Sequence, residues 1–303
     1  MSPAGNAGVR IAAPAKINLY LHVTARRDDG FHVLDSLVVF ADVGDVLTVV
    51  PSPTLELKIG GPHSHGLENL GGDNIILRAA RGLADLGGVV AGAEIRLEKN
   101  LPVAAGIGGG SADAAAALKC LAALWEIAPA PSALAELALS LGADVPVCLA
   151  GSAAYFGGVG ELITPVPDMP ALHLLLVNPG VTVSTPEVFR ARKGAFHPAA
   201  RLSAMPATAA EMGDTLRVRH NDLETAAMTL QPVIGDVIDM LDASQGCLFA
   251  RMSGSGATCF GIFADGALMQ DAAVAISLAR PAWWVAGSAA RRRAVSVEQI
   301  RFV

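Results

Sequence analysis

Residues 101–121 read LPVAAGIGGGSADAAAALKCL, a glycine-rich turn running straight into an alanine-rich segment. Gly106, Gly108, Gly109 and Gly110 crowd together there, and glycine loses more backbone freedom on ordering than any other residue, so the crowding needs a reason. One reason is an anion. With Ser111 as N-cap of a helix over 111–127, the first-turn N–H groups and the helix dipole point at a bound phosphate, whose oxygens glycines allow close to the backbone. The other reason is packing, a tight strand-to-helix turn that brings small residues close to a sheet. The loop by itself leaves both open.

Two phosphate-binding templates fail. A Walker A loop requires Lys next to its last glycine, whereas Ser111 follows Gly110. A dinucleotide fingerprint requires a third glycine where Ser111 stands, after a strand buried on both faces. The preceding AEIRLEK (93–99) instead carries Glu94, Arg96 and Glu98 along one face. These mismatches, with no acidic residue ending a second strand downstream, exclude a Rossmann dehydrogenase.

Working outward, 9–23 (VRIAAPAKINLYLHV) alternates from Ala15, with Ile17, Leu19, Leu21 and Val23 on one face and Lys16, Asn18, Tyr20 and His22 on the other. That pattern predicts a half-buried strand. A turn follows at Asp29-Gly30, then strands near 33–41, 46–50 and 55–59 and an exposed glycine-rich loop over 60–73. Helical spacing marks 74–87 and 132–141. The composition shifts at TPVPDMP (164–170), the expected linker between halves 1–165 and 166–303. Beyond it come a strand (172–177), a short helix at TPEVFRAR, a polar Ala/Pro-rich stretch to about 215 and two helices. Then follow strands CLFARM and TCFGIF around SGSGA, a helix near 266–279 and a last strand at PAWWVAGSAA. This β-α-α-β-β-α-β order predicts an α+β sandwich of the ferredoxin-like type.

A net charge of −6 disfavours nucleic acid or an anionic membrane as partner. Hydrophobic residues at 52% support a sizeable core, yet no long uninterrupted apolar run marks a membrane span, and the first sixteen residues lack signal-peptide character. Cys120, Cys148, Cys247 and Cys259 are scattered, as expected of buried free thiols in a reducing cytoplasm. His63 and His65 form an HxH without a third ligand nearby, and Arg291 to Arg293 a charge run; both read as solvated. Lys16 is either an edge-strand gatekeeper or a phosphate ligand. Asp144, in GADVPV, is either an N-cap or a carboxylate placed to take a proton. A second cluster, Met252 to Thr258 (MSGSGAT), is too rich in Gly and Ser for an ordinary hairpin. Two such loops in different halves suggest one ligand held between domains.

In order, APAKINLYLHV, DDGFHVLDSLV, LPVAAGIGGGSADAAAAL, GADVPV and MSGSGAT resemble the GHMP small-molecule kinases along nearly the whole chain. PAKINLYL followed by DGFH, with GADVPV, NDLE and VSTPEVF, points to the branch that phosphorylates the 2-hydroxyl of a cytidine-diphosphate-linked polyol in non-mevalonate isoprenoid synthesis. The resemblance implies a two-domain fold with an amino-terminal half like ribosomal protein S5 domain 2, and ATP with Mg²⁺ as cofactors. It implies a catalytic pair, Lys16 and Asp144, with Asn18 beside them. It places Pro102, Val103, Ala104, Ala105, Gly106, Ile107, Gly108, Gly109, Gly110, Ser111 and Ala112 over the ATP phosphates, Ser111 also as a Mg²⁺ ligand, and Asn74 near the adenine. His32 and Phe189 would flank the cytosine, with Phe31, Ser253, Gly254, Ser255 and Gly256 on the acceptor side. Phe31 replaces a common Tyr, Ala104 and Ala105 replace common glycines, and Ala112 a common Ser. The expected protein is a cytoplasmic monomer or weak homodimer. The rivals are another GHMP kinase, acting on homoserine, a mevalonate-type alcohol or a sugar, and a non-catalytic nucleotide sensor. The sensor is expected to lose Lys16 or Asp144, and both are present.

Overall fold

The computed structural model describes residues 7–65, 67, 74–166 and 168–301. Residues 1–6, half of the loop expected over 60–73 and one residue of the expected linker lie outside the described residues.

The alternating first segment forms β1 (Ala7–Arg26), which turns at Asp29-Gly30 into β2 (His32–Val50). The two strands expected at 33–41 and 46–50 are one. β2 passes so close to β1 at Gly44 that a Cβ there would lie 2.4 Å from the Ala13 carbonyl oxygen, which is why glycine stands at this crossing. The two ends of β2 take different partners. Its 46–50 end pairs with β4 (Ala93–Glu98), which runs parallel to β3 (Leu55–Gly60). Its 34–38 end pairs with β5 (Ala154–Gly158), which carries β6 (Leu162–Pro165). A short strand that patterning did not reveal, Glu298–Arg301, returns from the far end of the chain to the free edge of β1. Among the described residues this sheet has seven strands.

Four helices pack on it: α1 (Ile75–Gly87), α2 (Gly109–Leu124), α3 (Pro131–Leu141) and α4 (Val145–Ala150). Asn74 caps α1 by accepting the Ile76 N–H at 2.9 Å, and Gly88 closes it with φ +61°. α2 begins two residues earlier than expected. Its N-cap is Gly108, with φ +63°, so Ser111 lies inside the first turn instead of capping it. The alanines of α2 bury against β1 and β2, where small side chains permit close approach.

In the second sheet β7 (His173–Asn178), β8 (Cys247–Met252), β9 (Cys259–Phe263) and β10 (Trp284–Ala289) lie in the order β10-β7-β9-β8, every pair antiparallel. That is the ferredoxin-like pattern anticipated from the element order. Its helices are α5 (Thr185–Ala191), α6 (Ala209–Arg217), α7 (Glu224–Leu230), α8 (Val233–Asp242) and α9 (Gly266–Ala279). α6 lies largely in the stretch read only as polar and Ala/Pro-rich. Its signal was a capping box: Thr208 accepts the Glu211 N–H and the Glu211 carboxylate accepts the Ala207 N–H.

Between the sheets, Ile17, Leu19, Leu37 and Val39 pack against Leu174, Leu176, Phe249 and Phe260. β1 is therefore not half-buried. Lys16, Asn18, Tyr20 and His22 are each at most 4% exposed: the glycine loop and Asp144 cover Lys16, and the second half of the chain covers the other three.

Candidate active site

Proline cannot donate to a ladder, and the β1–β2 register shifts between Pro14 and Lys16, then again between Asn18 and Tyr20. Bulges re-aim side chains, and these two bracket Lys16 and Asn18. The Lys16 N–H leaves the sheet and donates to the Ile107 carbonyl of the glycine loop at 2.9 Å. With Phe40 of β2 on its other side, Lys16 sits in an interior strand, which removes the edge-gatekeeper reading. Its ammonium donates to Asp144 Oδ2 at 2.9 Å. Asp144 occupies the N-cap position of α4, yet its side chain caps nothing; it turns to Lys16 and stays 32% exposed. Asn18 is buried. Its amide donates to Ser36 Oγ, and its Oδ1 has no internal donor.

The glycines of the loop have separate jobs. A Cβ on Gly106, where φ is +74°, would lie 2.5 Å from the Ser253 carbonyl oxygen, so this glycine lets the two glycine loops touch. A Cβ on Gly108 would press on the Lys16 side chain at 3.3 Å, and one on Gly109 would come within 3.2 Å of Lys99 Nζ. Gly110 is different. It is helical, and a Cβ there would meet nothing within 4 Å. Three of the glycines thus answer to packing, and Gly110 alone faces open space at the start of a helix of 16 residues.

The second loop braces the first. Ser253 Oγ donates to the Gly106 carbonyl at 3.1 Å and accepts the Asn18 N–H, also at 3.1 Å. The Thr258 N–H donates to the Ala105 carbonyl. Farther along, Ser255 Oγ shares a hydrogen bond with Thr185 Oγ1 at the start of α5. A cleft of about 560 Å³ opens between these parts, lined by Lys16, Asn18, Asn74, Pro102 to Gly106, Gly108 to Ser111, Asp144, Phe189, Gly254 and Ser255 among others. This volume suits a nucleotide-sized ligand.

The expected site residues Phe31, His32, Ile107, Ala112, Ser253 and Gly256 do not line the cleft. Ile107 and Ala112 are core residues, and Ser253 is fully buried with its hydroxyl committed to the first loop. A side chain at Gly256 would run into the Met252 sulfur.

Reading the sequence missed a buried charge cluster under the loop. Lys99 Nζ donates to Asp45 Oδ2 and, at 2.7 Å, to Asp113 Oδ2, and Asp45 Oδ1 also accepts the Asn100 and Leu101 N–H groups. Lys99 and Asp113 line the cleft, and Asp113 Oδ1 is buried without a partner. Burial pushes the Asp113 carboxyl up, against the pull of Lys99. Burial also opposes the charge on Lys99, but Asp113 and Asp45 outweigh it and hold its pKa above the usual value. The available signal was an Asp within the alanine face of 112–117. A second signal was parity: Lys99 falls on the face of Ala93, Ile95 and Leu97, opposite Glu94, Arg96 and Glu98.

At the far end of the cleft, the His32 and Phe189 rings stack with centroids 4.8 Å apart and 22° between planes. Ring atoms in contact lie about 3.5–4 Å apart, so a base inserted between two rings needs centroids about 7 Å apart. The expected sandwich is thus closed, each ring covering the other. Burial, with Arg26 and Arg192 nearby, lowers the His32 pKa and favours a neutral ring. Phe31, at the hairpin tip, is 66% exposed.

Among the described residues no group of three or more His, Cys, Asp or Glu could hold a metal ion, and no helix is long and apolar enough to cross a membrane. The His63 N–H donates to the Lys99 carbonyl, while His65 is exposed. Arg291, expected to be solvated, instead pairs with Asp42 at 2.6 Å. The four cysteines are free.

Family models describe residues 74–152 as GHMP kinases N terminal domain and residues 196–279 as GHMP kinases C terminal. The chain is 54% identical over 276 residues to the 4-diphosphocytidyl-2-C-methyl-D-erythritol kinase of Paramagnetospirillum magneticum, covering 91% of this chain and 96% of that one. Against the kinase of the same name from Rhodospirillum rubrum, identity is 50% over 273 residues, 90% of each chain. A crystal structure of 4-(cytidine 5'-diphospho)-2C-methyl-D-erythritol kinase superposes with TM-score 0.76 at 34% identity, covering 93% of this chain and 99% of that one. A homoserine kinase from Cytophaga hutchinsonii, 17% identical with TM-score 0.74 over 98% and 99% of the two chains, shares the fold.

Proposed function

Because this chain belongs to the GHMP kinases, in the 4-diphosphocytidyl-2-C-methyl-D-erythritol kinase family, we propose that it transfers the γ-phosphoryl group of ATP to the 2-hydroxyl of that cytidylyl polyol. The product is the 2-phosphate, an intermediate of non-mevalonate isoprenoid synthesis. The observation that carries this reading is the Lys16–Asp144 pair at 2.9 Å, in the cleft onto which the open helix start at Gly110 faces.

Phosphoryl transfer asks mainly for positioning and for charge where charge develops. Asp144 orients the acceptor hydroxyl and takes its proton as the new O–P bond forms and the bond to the departing ADP breaks. Lys16 holds that carboxylate and supplies positive charge to the transferring group. The Oδ1 of Asn18 is a ready acceptor for a substrate hydroxyl. The first-turn N–H groups of α2 receive phosphate oxygens, with Gly110 leaving room for them.

The space at Gly110 fits ATP phosphates to this cradle. Mg²⁺ usually keeps several waters and binds through substrate phosphates with one or two protein oxygens. Ser111 and Asp144, both at the cleft, fit that demand. The ion would neutralise phosphate charge there. Because His32 and Phe189 cover each other, the acceptor base would stack on an outer face of that pair, near the exposed Phe31, an aromatic contact contributing about 1–3 kcal/mol. The enzyme would act in the cytoplasm as a monomer or weak homodimer, and its work without nucleic acid agrees with the net charge of −6.

ADP release measured with the cytidylyl polyol, mevalonate, homoserine and galactose tests the reading. Turnover is expected with the first, and turnover restricted to any of the others sinks it.

A further inference from the structure

The motif NDLE, residues 221–224, takes no part in the chemistry above, and its side chains are still committed to the site. Asn221 is 6% exposed. Its Nδ2 donates to the Met252 carbonyl at 2.8 Å and to the Gly254 carbonyl at 2.9 Å, while its Oδ1 accepts the Leu223 N–H at 3.0 Å. Both amide protons therefore go to the second glycine loop. Glu224 completes the grip by accepting the Met252 N–H at 2.9 Å. The backbone around Asn221 is tied to β1: the Leu21 N–H donates to the His220 carbonyl, the Asp222 N–H donates to the Leu21 carbonyl, and Asp222 Oδ2 accepts the Val23 N–H. A strut thus runs from the strand that carries Lys16 and Asn18 to the base of the second loop.

The second loop passes the constraint onward. Gly254 sits with φ +55°, its Cβ position 2.5 Å from the Gly106 carbonyl oxygen, and Ser253 bonds both Gly106 and Asn18. A shift of the 252–254 backbone must move Gly106 or break these contacts.

We propose that Asn221 is a positioning residue for phosphoryl transfer, fixing the glycine loop over the phosphates through Gly254 and Ser253 without touching either substrate. Its amide is suited to this because it offers two donors to two carbonyls that face each other across 2.8 and 2.9 Å bonds. A carboxylate of the same shape offers none and repels both. The inference rests on the kinase reading, with ATP phosphates at the first loop.

The test compares Asn221→Asp and Asn221→Ser with the unaltered enzyme. It reads KM for ATP, KM for the acceptor, kcat, and the melting temperature without ligand. Losing both donors frees the loop that holds the phosphates, so KM for ATP is expected to rise about tenfold, with KM for the acceptor held within about twofold. In Asn221→Asp the ATP defect is expected to shrink as pH falls and the carboxyl gains a proton to donate. Should the Asp variant fail to fold, Asn221→Ser carries the test, since it adds no charge. An unchanged KM for ATP in a folded variant overturns the inference and leaves the kinase reading intact. So does a fall in melting temperature with both KM values unchanged or shifted equally. An unaltered enzyme that binds no ATP analogue overturns the kinase reading and this inference with it.

Discussion

Replacing Gly110 by Ala separates ligand binding from packing by giving the two effects opposite signs. Gly110 is the second residue of α2, its backbone is helical, and a Cβ there meets nothing within 4 Å. In a helix alanine is better than glycine by about 0.5–1 kcal/mol. Unfolding entropy of about 2.1 cal/mol/K per residue over 303 residues is about 0.6 kcal/mol/K, so the ligand-free melting temperature should rise by about 1–2 °C. If phosphate oxygens come against this turn, the added methyl group pushes them off the N–H groups. A weakened hydrogen bond to a charged group costs about 1.5–3 kcal/mol, which raises KM for ATP about tenfold to a hundredfold. KM for the acceptor should not move. Gly106→Ala is the contrasting control. With φ +74° and backbone of the second loop 2.5 Å from the Cβ position, it should lower the melting temperature. Thermal unfolding without ligand, followed by ADP-release kinetics at varied ATP, reads both quantities. A Gly110→Ala protein that is more stable and keeps its KM for ATP would show that no phosphate approaches this turn, and the assignment of the loop would fall.

Three further outcomes follow from the geometry. Asp144→Asn should lower kcat by about 10²- to 10⁴-fold while an ATP analogue still binds nearly as well, because the amide keeps the shape and loses the base; near-normal turnover removes Asp144 from the mechanism. His32→Ala and Phe189→Ala should each raise KM for the acceptor and leave KM for ATP alone, and an unchanged acceptor KM would mean that the base is held elsewhere. Asp113→Asn should change how stability depends on pH. Burial raises the folded carboxyl toward about 7, so between the ordinary carboxylate range and that value the folded state binds the extra proton. Stability from this group is present at low pH and is lost as pH rises through that window. Melting temperatures of wild type minus Asp113→Asn should therefore fall from about pH 5 to about pH 8, whereas a constant difference contradicts the burial argument.

What the sequence made legible depended on whether a signal was local. Helix α1 announced itself through Asn74, its apolar spacing and the Gly87-Gly88 stop, and the structure places a cap at each end. The ferredoxin-like order of the second half was readable because it needs only element types in sequence. Failures came where distant chain decides. The polar face of β1 looks solvent-facing because alternation cannot know that MSGSGAT and the 220–222 segment will cover it. Lys99 falls on the apolar face of its alternating strand, but the carboxylates that pair it there, Asp45 and Asp113, come from 54 and 14 residues away. Met252 to Thr258 was legible as unusual, yet whether a given residue faces the cleft or the neighbouring loop depends on contacts that no spacing encodes.

The same distinction explains why the glycine loop resisted interpretation by itself. Its glycines share a composition and have different causes. Gly106 makes room for a second loop 147 residues away, Gly108 for the stem of Lys16 and Gly109 for the ammonium of Lys99. Each of these would be required by the folded chain if no ligand existed, which is the packing reading. Gly110 has no such cause, and a helix start that keeps a costly residue facing open space is what the anion reading demands. Packing thus accounts for three of the glycines, and the anion reading rests on Gly110. The packing glycines bring Lys16, the second loop and the Lys99 cluster up to the turn, and without them the space at Gly110 would face no catalytic pair. A substitution at Gly106, Gly108 or Gly109 should thus disturb stability and catalysis together, while Gly110→Ala should weaken ATP binding with no loss of stability.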